Sequence, residues 1–380
     1  MNESSALLRI GFIVEQALGH RTHAGNLQQA IRRDSEIEPV WGLIPYEVGG
    51  WAARIPLFRS NWTVRAGLRA RRHLASMARG GRLRSLFIHT QVPAVLVPDW
   101  VRSVPTVVSL DATPLQYDEL GEVYAHSTGP ARLEKAKWRL NRAVFERARH
   151  LVTWSRWARR GLAEGYGVDP KRVTVLPPGV HTRDWARPEA RRSHDGPVRV
   201  LFVGGDAERK GGLLLLEAVR ALREELSLEV DIVTGSPLRP EPGVRIHTGL
   251  APNTDKLRRL YHEADVFCLP TEGDCMPLAL AEAAASGLPS VSTSVAAIPE
   301  IVRDGKTGIL VAPRDRRGLI EALRRLATEP ARRLAMGAAA EALAVAEHDA
   351  GRNARRLLEL LKRAAGHNPG SAGSKSDDSE

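Results

Sequence analysis

Short apolar runs alternate with longer amphipathic segments along almost the whole chain, and that alternation limits the fold more than any single residue does. LLRIGFIV, a helical stretch over about 22–33, PVWGLIP, an arginine-rich helical stretch over about 62–79, SLFIHT and TVVSL follow one another. A helical block over about 130–149, LVTWS, a further helix and VTVLPPGV complete the series. Parallel strands need crossover helices between them, so this rhythm predicts an α/β fold with helices covering both faces of a parallel sheet.

The rhythm stops in a segment rich in Pro, Gly and charge at 179–197 and restarts with VRVLFVGG. LLLLEAVRALREE, SLEVDIVTG, VRIHTGL, a helix over about 254–264, VFCLPT, a helix after Pro277, PSVSTS, GILVA and helices beyond Arg317 repeat the pattern. A chain of 380 residues exceeds what one core supports, so two domains are expected, 1–185 and 186–350. The amphipathic segment 351–365 reads as a closing helix, and the small polar residues of 366–380 as a disordered tail.

A 43% hydrophobic and 26% charged composition excludes a fibre or a disordered chain. No window approaches 18 uninterrupted apolar residues, and the polar N-terminus runs straight into a strand without a basic leader. We therefore expect neither a membrane span nor a signal peptide, and a cytoplasmic protein. Cys268 and Cys275 lack partners at metal spacing and read as reduced thiols.

The net charge of +11 belongs to the first half, where residues 1–185 hold 27 Lys/Arg against 16 Asp/Glu, while the remainder holds 28 of each. Nine arginines and no acid fall within 48–98. A polyanion, an anionic membrane surface or a phosphorylated acceptor would suit such a segment. No nucleic-acid-binding motif accompanies the arginines, so no specific nucleic-acid partner is expected.

Three stretches could carry chemistry. In TEGDCMPLALAEAAASGLPSV, 271–291, Asp274 and Glu282 stand eight positions apart at the edge of an apolar run. Either they meet a ligand at the carboxyl end of the sheet, or Asp274 caps a helix and Glu282 pairs with an arginine. In VLFVGGDAERKGGLLLLEAV, 200–219, a turn with Gly204 and Gly205 puts Arg209 and Lys210 above the sheet, as a phosphate contact or as a solvated basic loop. It matches neither a Walker A loop nor a dinucleotide fingerprint. In GFIVEQALGHRTHAGNLQQAI, Gly19, His20, His23 and Gly25 form a loop; no carboxylate or Cys completes a metal set, so phosphate approach is the preferred reading.

Taken in order, LVTWSRWARRGLAEGYGVDPKRVTVLPPGVHTRDWARP, VLFVGGDAERKGG, the long block GLAPNTDKLRRLYHEADVFCLPTEGDCMPLALAEAAASGLPSVSTSVAAIPEIV and IVRDGKTGILVAPRDRRGLIEAL resemble glycosyltransferase family 4. These are retaining enzymes of the GT-B fold, and the likeness covers nearly all of 8–362. It implies two Rossmann-like parallel-sheet domains facing across a cleft, the first for the acceptor and the second for a nucleotide-sugar donor. The segment 351–365 would return to the first domain.

The resemblance implies that Lys210 contacts the donor diphosphate, Glu282 the ribose and Asp274 the transferred sugar. Around Pro277, the amides of Cys275, Met276 and Leu278 would grip sugar hydroxyls and phosphate, Gly249 and Leu250 would cradle the base, and Gly19, Gly204 and Gly205 would line the donor loops. Two positions depart from the family pattern. Gly205 stands where an arginine is usual, with Arg209 as the candidate replacement, and Leu110-Asp111 stands for a His-Asp pair, leaving Asp111 near the reacting sugar.

The implied reaction moves a sugar with retention, without metal or cofactor beyond the nucleotide-sugar co-substrate. A non-catalytic partner subunit or a nucleotide-sugar epimerase of the same fold are the alternatives. The acceptor, lipid-linked or a glycan, would meet the first domain. There Trp51, Phe58 and Trp62 interleave with arginines, and Arg65, Arg69 and Arg72, broadened by Arg71 and Arg79, would share a helix face suited to peripheral contact of segment 54–84 with the inner face of an anionic membrane. A merely arginine-rich surface is the competing reading.

Overall fold

The computed structural model describes residues 7–17, 19–47, 61–124, 129–189 and 194–366. The sequence readings that concern Trp51, Arg54, Phe58, Arg59 and the tail beyond 366 lie outside these residues. Six strands form the first sheet: β1 (Leu8–Glu15), β2 (Ile37–Ile44), β3 (Ser85–His89), β4 (Thr106–Leu110), β5 (His150–Thr153) and β6 (Val173–Val175). They run parallel in the order β2-β1-β3-β4-β5-β6, with β1 and β2 in register from Leu8↔Ile37 to Glu15↔Ile44. The second sheet holds β7 (Val198–Val203), β8 (Leu228–Val233), β9 (Val244–His247), β10 (Val266–Leu269), β11 (Ser290–Thr293) and β12 (Gly308–Val311), parallel in the order β12-β11-β10-β7-β8-β9.

Each sheet reverses its direction of winding once, between β1 and β3 in the first and between β7 and β10 in the second. At such a reversal the two crossovers leave on opposite faces, and a crevice opens outside the carboxyl ends of the strands. The stretches that carry Gly19, Gly204 with Gly205, and Gly273 follow β1, β7 and β10, which flank these two places, while Gly249 follows the edge strand β9.

Local chemistry fixes where the helices begin. Asn61, Ser155, Thr254, Asp315 and Asp349 each accept the amide three residues on, which satisfies a donor that the first turn leaves unpaired. Gly211 precedes the helix Gly212–Leu222 with φ +79°, and a Cβ there would come within 2.1 Å of the Pro270 carbonyl oxygen. Only glycine allows the loop after β7 to lie against the loop after β10.

The second domain closes on one core that includes Phe202, Leu215, Phe267, Leu280, Leu323 and Trp185. The first domain has a core layer on each face of its sheet, and one of them is completed by Leu357, Leu358 and Leu361 of the helix Ala350–Ala364. Lys362 of that helix pairs with Asp34 at 3.0 Å and Glu36 at 2.6 Å. Burying a leucine contributes about 1.5–3 kcal/mol, so the three leucines hold the helix in place, and Lys362, itself buried, keeps its charge paired with carboxylates that reach solvent.

The domains are stitched where the chain crosses between them. The Val180 amide donates to the His348 carbonyl at 2.8 Å, the Ala350 amide donates to Val180 at 2.9 Å, and Gly179 lies flat against Ala350. Asn253 donates to Asn26 across the interface at 2.8 Å, and Asn26 in turn donates to the Gly179 carbonyl. Glu300 of the second domain accepts the Arg156 and Trp157 amides at 2.9 and 2.8 Å, so a carboxylate from one domain caps the helix Arg156–Tyr166 of the other.

The expected arginine face differs in one respect. Arg65 is buried under Tyr46 and Trp62, and Arg69 and Arg71 donate to backbone carbonyls, because this side of the helix Trp62–Arg79 packs on the loops beside it. Arg72 and Arg79 remain exposed. No helix among the described residues is long and apolar enough to cross a membrane.

Leu361→Ala should remove about 2–5 kcal/mol from the unfolding free energy of the first domain, read from urea denaturation. Lys362→Ala, which leaves two carboxylates that still reach solvent, should cost less than Leu361→Ala in the same assay.

Candidate active site

On the second-domain side, the loops after β7 and β10 are zipped together. Lys210 Nζ lies 2.6 Å from Asp274 Oδ2, with both side chains largely buried. Gly204 makes room for this, since a Cβ there would stand 2.9 Å from the Lys210 stem. Arg209 donates to the Gly273 carbonyl at 2.7 Å and sits 3.5 Å from Asp206, while its own carbonyl accepts the Glu272 amide. The basic loop is therefore not a freely solvated one. Gly205 lies in open space, and its carbonyl accepts the Gly235 amide.

Glu282, in the helix Leu278–Ala285, is 5% exposed, and its Oε2 accepts the Tyr261 hydroxyl at 2.9 Å. Burial pushes its carboxyl up to about 7, against the opposing pull of the Tyr261 hydrogen bond and the Lys210 charge. Neither structural alternative read from the sequence is what forms. Pro277 occupies the cap position with no side-chain cap, so Asp274 does not cap the helix, and the partner of Glu282 is a phenol rather than an arginine. Tyr261 was not singled out in the sequence; its spacing of four from Leu257 on an amphipathic helix was the available signal.

Cys275, Met276 and Leu278 are buried beside the loop, and Cys268 and Cys275 are free thiols. Glu272 is turned aside onto Arg314 at 2.7 Å. Gly249 has φ +70° with open space where a side chain would be, and Leu250 packs against the second core.

The first-domain side holds charges that the sequence did not group. Glu15, at the end of β1, is 3% exposed and accepts the Trp62 indole N–H at 3.1 Å, the Thr90 hydroxyl at 3.1 Å and His20 Nδ1 at 2.9 Å. His20 Nε2 lies 3.3 Å from Asp111 Oδ2. Gly19 immediately precedes the helix His20–Ile31 and so starts this arrangement. Burial alone would depress the His20 imidazolium, but Asp111 and Glu15 outweigh it and push the group up to about 10. Asp111 goes down, its burial outweighed by the charge and hydrogen bond of His20.

Leu110 is fully buried in the sheet beneath Asp111. His23 and His89 sit behind His20 with Trp154; burial drives His23 down to about 3 and His89 well below its ordinary value, with the His20 charge adding to both. Among the described residues no group of three or more His, Cys, Asp or Glu could hold a metal ion.

The two sides meet. The Tyr117 phenol is raised by burial, and both Asp111 of the first domain and Cys275 and Arg209 of the second act on it. A Cβ on Gly273 would come within 2.8 Å of Val123. The arrangement offers a buried cation beside a helix start, a neutral-range carboxyl and a second, ionised carboxylate across a narrow gap.

Residues 26–184 match the family model described as Glycosyltransferase Family 4, and residues 197–329 match the one described as Glycosyl transferases group 1. An MMP alpha-(1->4)-mannosyltransferase of Mycolicibacterium hassiacum is 30% identical over 204 residues, covering 50% of this chain and 48% of that protein. A D-inositol 3-phosphate glycosyltransferase of Corynebacterium aurimucosum is 33% identical over 206 residues, covering 48% and 49%. The chain spans about half the length of the curated relatives it matches. The structure of Anabaena HepE in complex with UDP-glucose superposes with a TM-score of 0.68 at 13% identity, covering 93% of this chain and 99% of that one, which shows a shared GT-B fold.

Because the Glu282 carboxyl is raised from 4.5 to about 7, its contribution to stability is complete below pH 4.5 and is lost as pH rises to about 7. Glu282→Gln should therefore gain stability over the wild type progressively across that window, by on the order of a few kcal/mol, and no further above it. Thermal unfolding of both proteins at pH 5 and pH 8 measures this.

Proposed function

Because the chain belongs to glycosyltransferase family 4, we propose that it transfers a sugar from a nucleoside diphosphate sugar to an acceptor hydroxyl. The observation that carries this reading is the meeting of Lys210, Asp274 and Glu282 at the reversal point of the second sheet. A diphosphate leaving group gathers negative charge as its bond to the sugar breaks, and a preoriented ammonium beside helix amides stabilises that charge without reorganisation. Lys210 supplies the ammonium and the start of Leu278–Ala285 the amides, with Arg209 adding charge in place of an arginine at position 205.

Glu282, held by Tyr261, accepts hydrogen bonds from the ribose hydroxyls, and Asp274 faces the transferred sugar. The reaction retains anomeric configuration. The bond from the anomeric carbon to phosphate oxygen breaks, the bond to the acceptor oxygen forms on the same face, and the acceptor proton passes to the departing phosphate oxygen. No metal takes part. The first domain holds the acceptor, a glycan or lipid-linked hydroxyl of cell-envelope, polysaccharide or glycolipid synthesis, and Arg72 and Arg79 on the helix Trp62–Arg79 contact an anionic surface. Support comes from the sugar-transferring names of the relatives and from UDP-glucose in the HepE complex.

Thermal shift with UDP-, GDP-, ADP- and dTDP-sugars tests the reading. One nucleotide class should stabilise the wild type, by about 2.7 kcal/mol at a hundredfold excess over Kd, with Glu282→Ala and Lys210→Ala abolishing the effect. No response to any class would sink the proposal. Free nucleotide released only when an acceptor is present separates a transferase from an epimerase.

A further inference from the structure

Resting on that transferase reading, we propose that His20 is a positioning residue: clamped between Glu15 and Asp111, it holds Asp111 ionised and aimed into the cleft as the acceptor for a sugar hydroxyl at the reacting centre. Both ring nitrogens of His20 face carboxylate oxygens, 2.9 Å to Glu15 and 3.3 Å to Asp111. Flanked in this way the His20 group is pushed up to about 10, so at neutral pH the ring is an imidazolium and donates from both nitrogens. With both N–H groups committed, His20 has no lone pair and cannot act as a base.

The clamp is anchored from behind. Glu15 is buried and takes three donors, from Trp62, Thr90 and His20, which leaves it no role toward a substrate. The His20 ring is fixed edge-on against His89 at 4.6 Å and Trp154 at 5.3 Å. Asp111 is the one member with a face toward the gap, its side chain 21% exposed. One of its oxygens takes the Ala112 amide and the other takes His20, and both keep acceptor capacity for an incoming hydroxyl.

The charged and titratable groups around the clamp come from every element packed on it. Glu15 stands on β1, His23 on the helix of His20, and His89 on β3, while Tyr117, in the segment after β4, interacts both with Asp111 and with Arg209 of the second domain. His23 and His89 are neutral, so neither adds a charge to the clamp.

The test compares His20→Gln with the wild type once a donor has been identified. Nucleotide-sugar binding, gripped by the second domain, should stay within about threefold, while kcat falls about 10–100-fold. Without the adjacent cation Asp111 titrates higher, so the acid limb of kcat/KM should move up by about one pH unit. Asp111→Asn should lose at least as much kcat and show no such limb. A lowered Tm with an unmoved pH profile, or an unchanged kcat, would overturn the proposal.

Should His20→Gln fail to fold, 15N-histidine spectra of the wild type decide the matter. One of the 12 histidines should keep both ring protons at pH 8.5 and lose one in Asp111→Asn, and twelve neutral rings at that pH would overturn the clamp. A wild type that neither binds nor turns over any nucleotide sugar defeats the transferase reading instead, and with it the role of Asp111, whereas the ring protonation reports on the clamp alone.

Discussion

Parallel strands deliver every crossover loop to the same edge of a sheet, and in this chain two such edges are held face to face by polar contacts that neither domain could satisfy alone. Glu300 caps a helix of the other domain, and Asn253 bonds Asn26, which in turn holds the Gly179 crossing. The two edges approach closely at Gly273, where a Cβ would come within 2.8 Å of Val123.

Charge in the gap is paired before any ligand arrives. On the second sheet Lys210 meets Asp274, and on the first His20 meets Glu15 and Asp111. Unpaired ions at such burial would cost several kcal/mol each, so the pairs are a condition of the fold as well as a resource for the site. Glu282 is the exception, with a phenol as its nearest donor, and its carboxyl accordingly stays near neutrality. A diphosphate sugar entering between the edges would meet charges already oriented.

Departures from the family pattern acquire a physical reading here. Leu110 is buried in the sheet and could carry no polar function, yet an imidazolium reaches Asp111 from the start of the first helix. Gly205 leaves open space beside the loop, and the Arg209 guanidinium lies across the neighbouring turn, on the Gly273 carbonyl. At the first departure the imidazole beside Asp111 comes from a distant segment, and at the second the neighbouring guanidinium comes from four residues further along the same loop.

The alternation of apolar runs was enough to read the α/β class and the runs that become strands in each half, because side-chain periodicity is a local property. The glycines at 204 and 205 and the acids at 274 and 282 were visible for the same reason, since strand, turn and helix follow one another within about twenty residues, whereas the need for glycine at 211 came only from the contact with Pro270. Which residues would meet was not visible. Tyr261 reaches Glu282 from 21 positions away, Lys210 reaches Asp274 from 64, and His20 reaches Asp111 from 91. Arg65, expected outward by helical spacing, is turned in by the packing of its neighbours. Spacing along the chain determines the elements and the loops that carry chemistry; only tertiary structure decides the partners, because hydrogen bonds and ion pairs form between groups that strand order brings together.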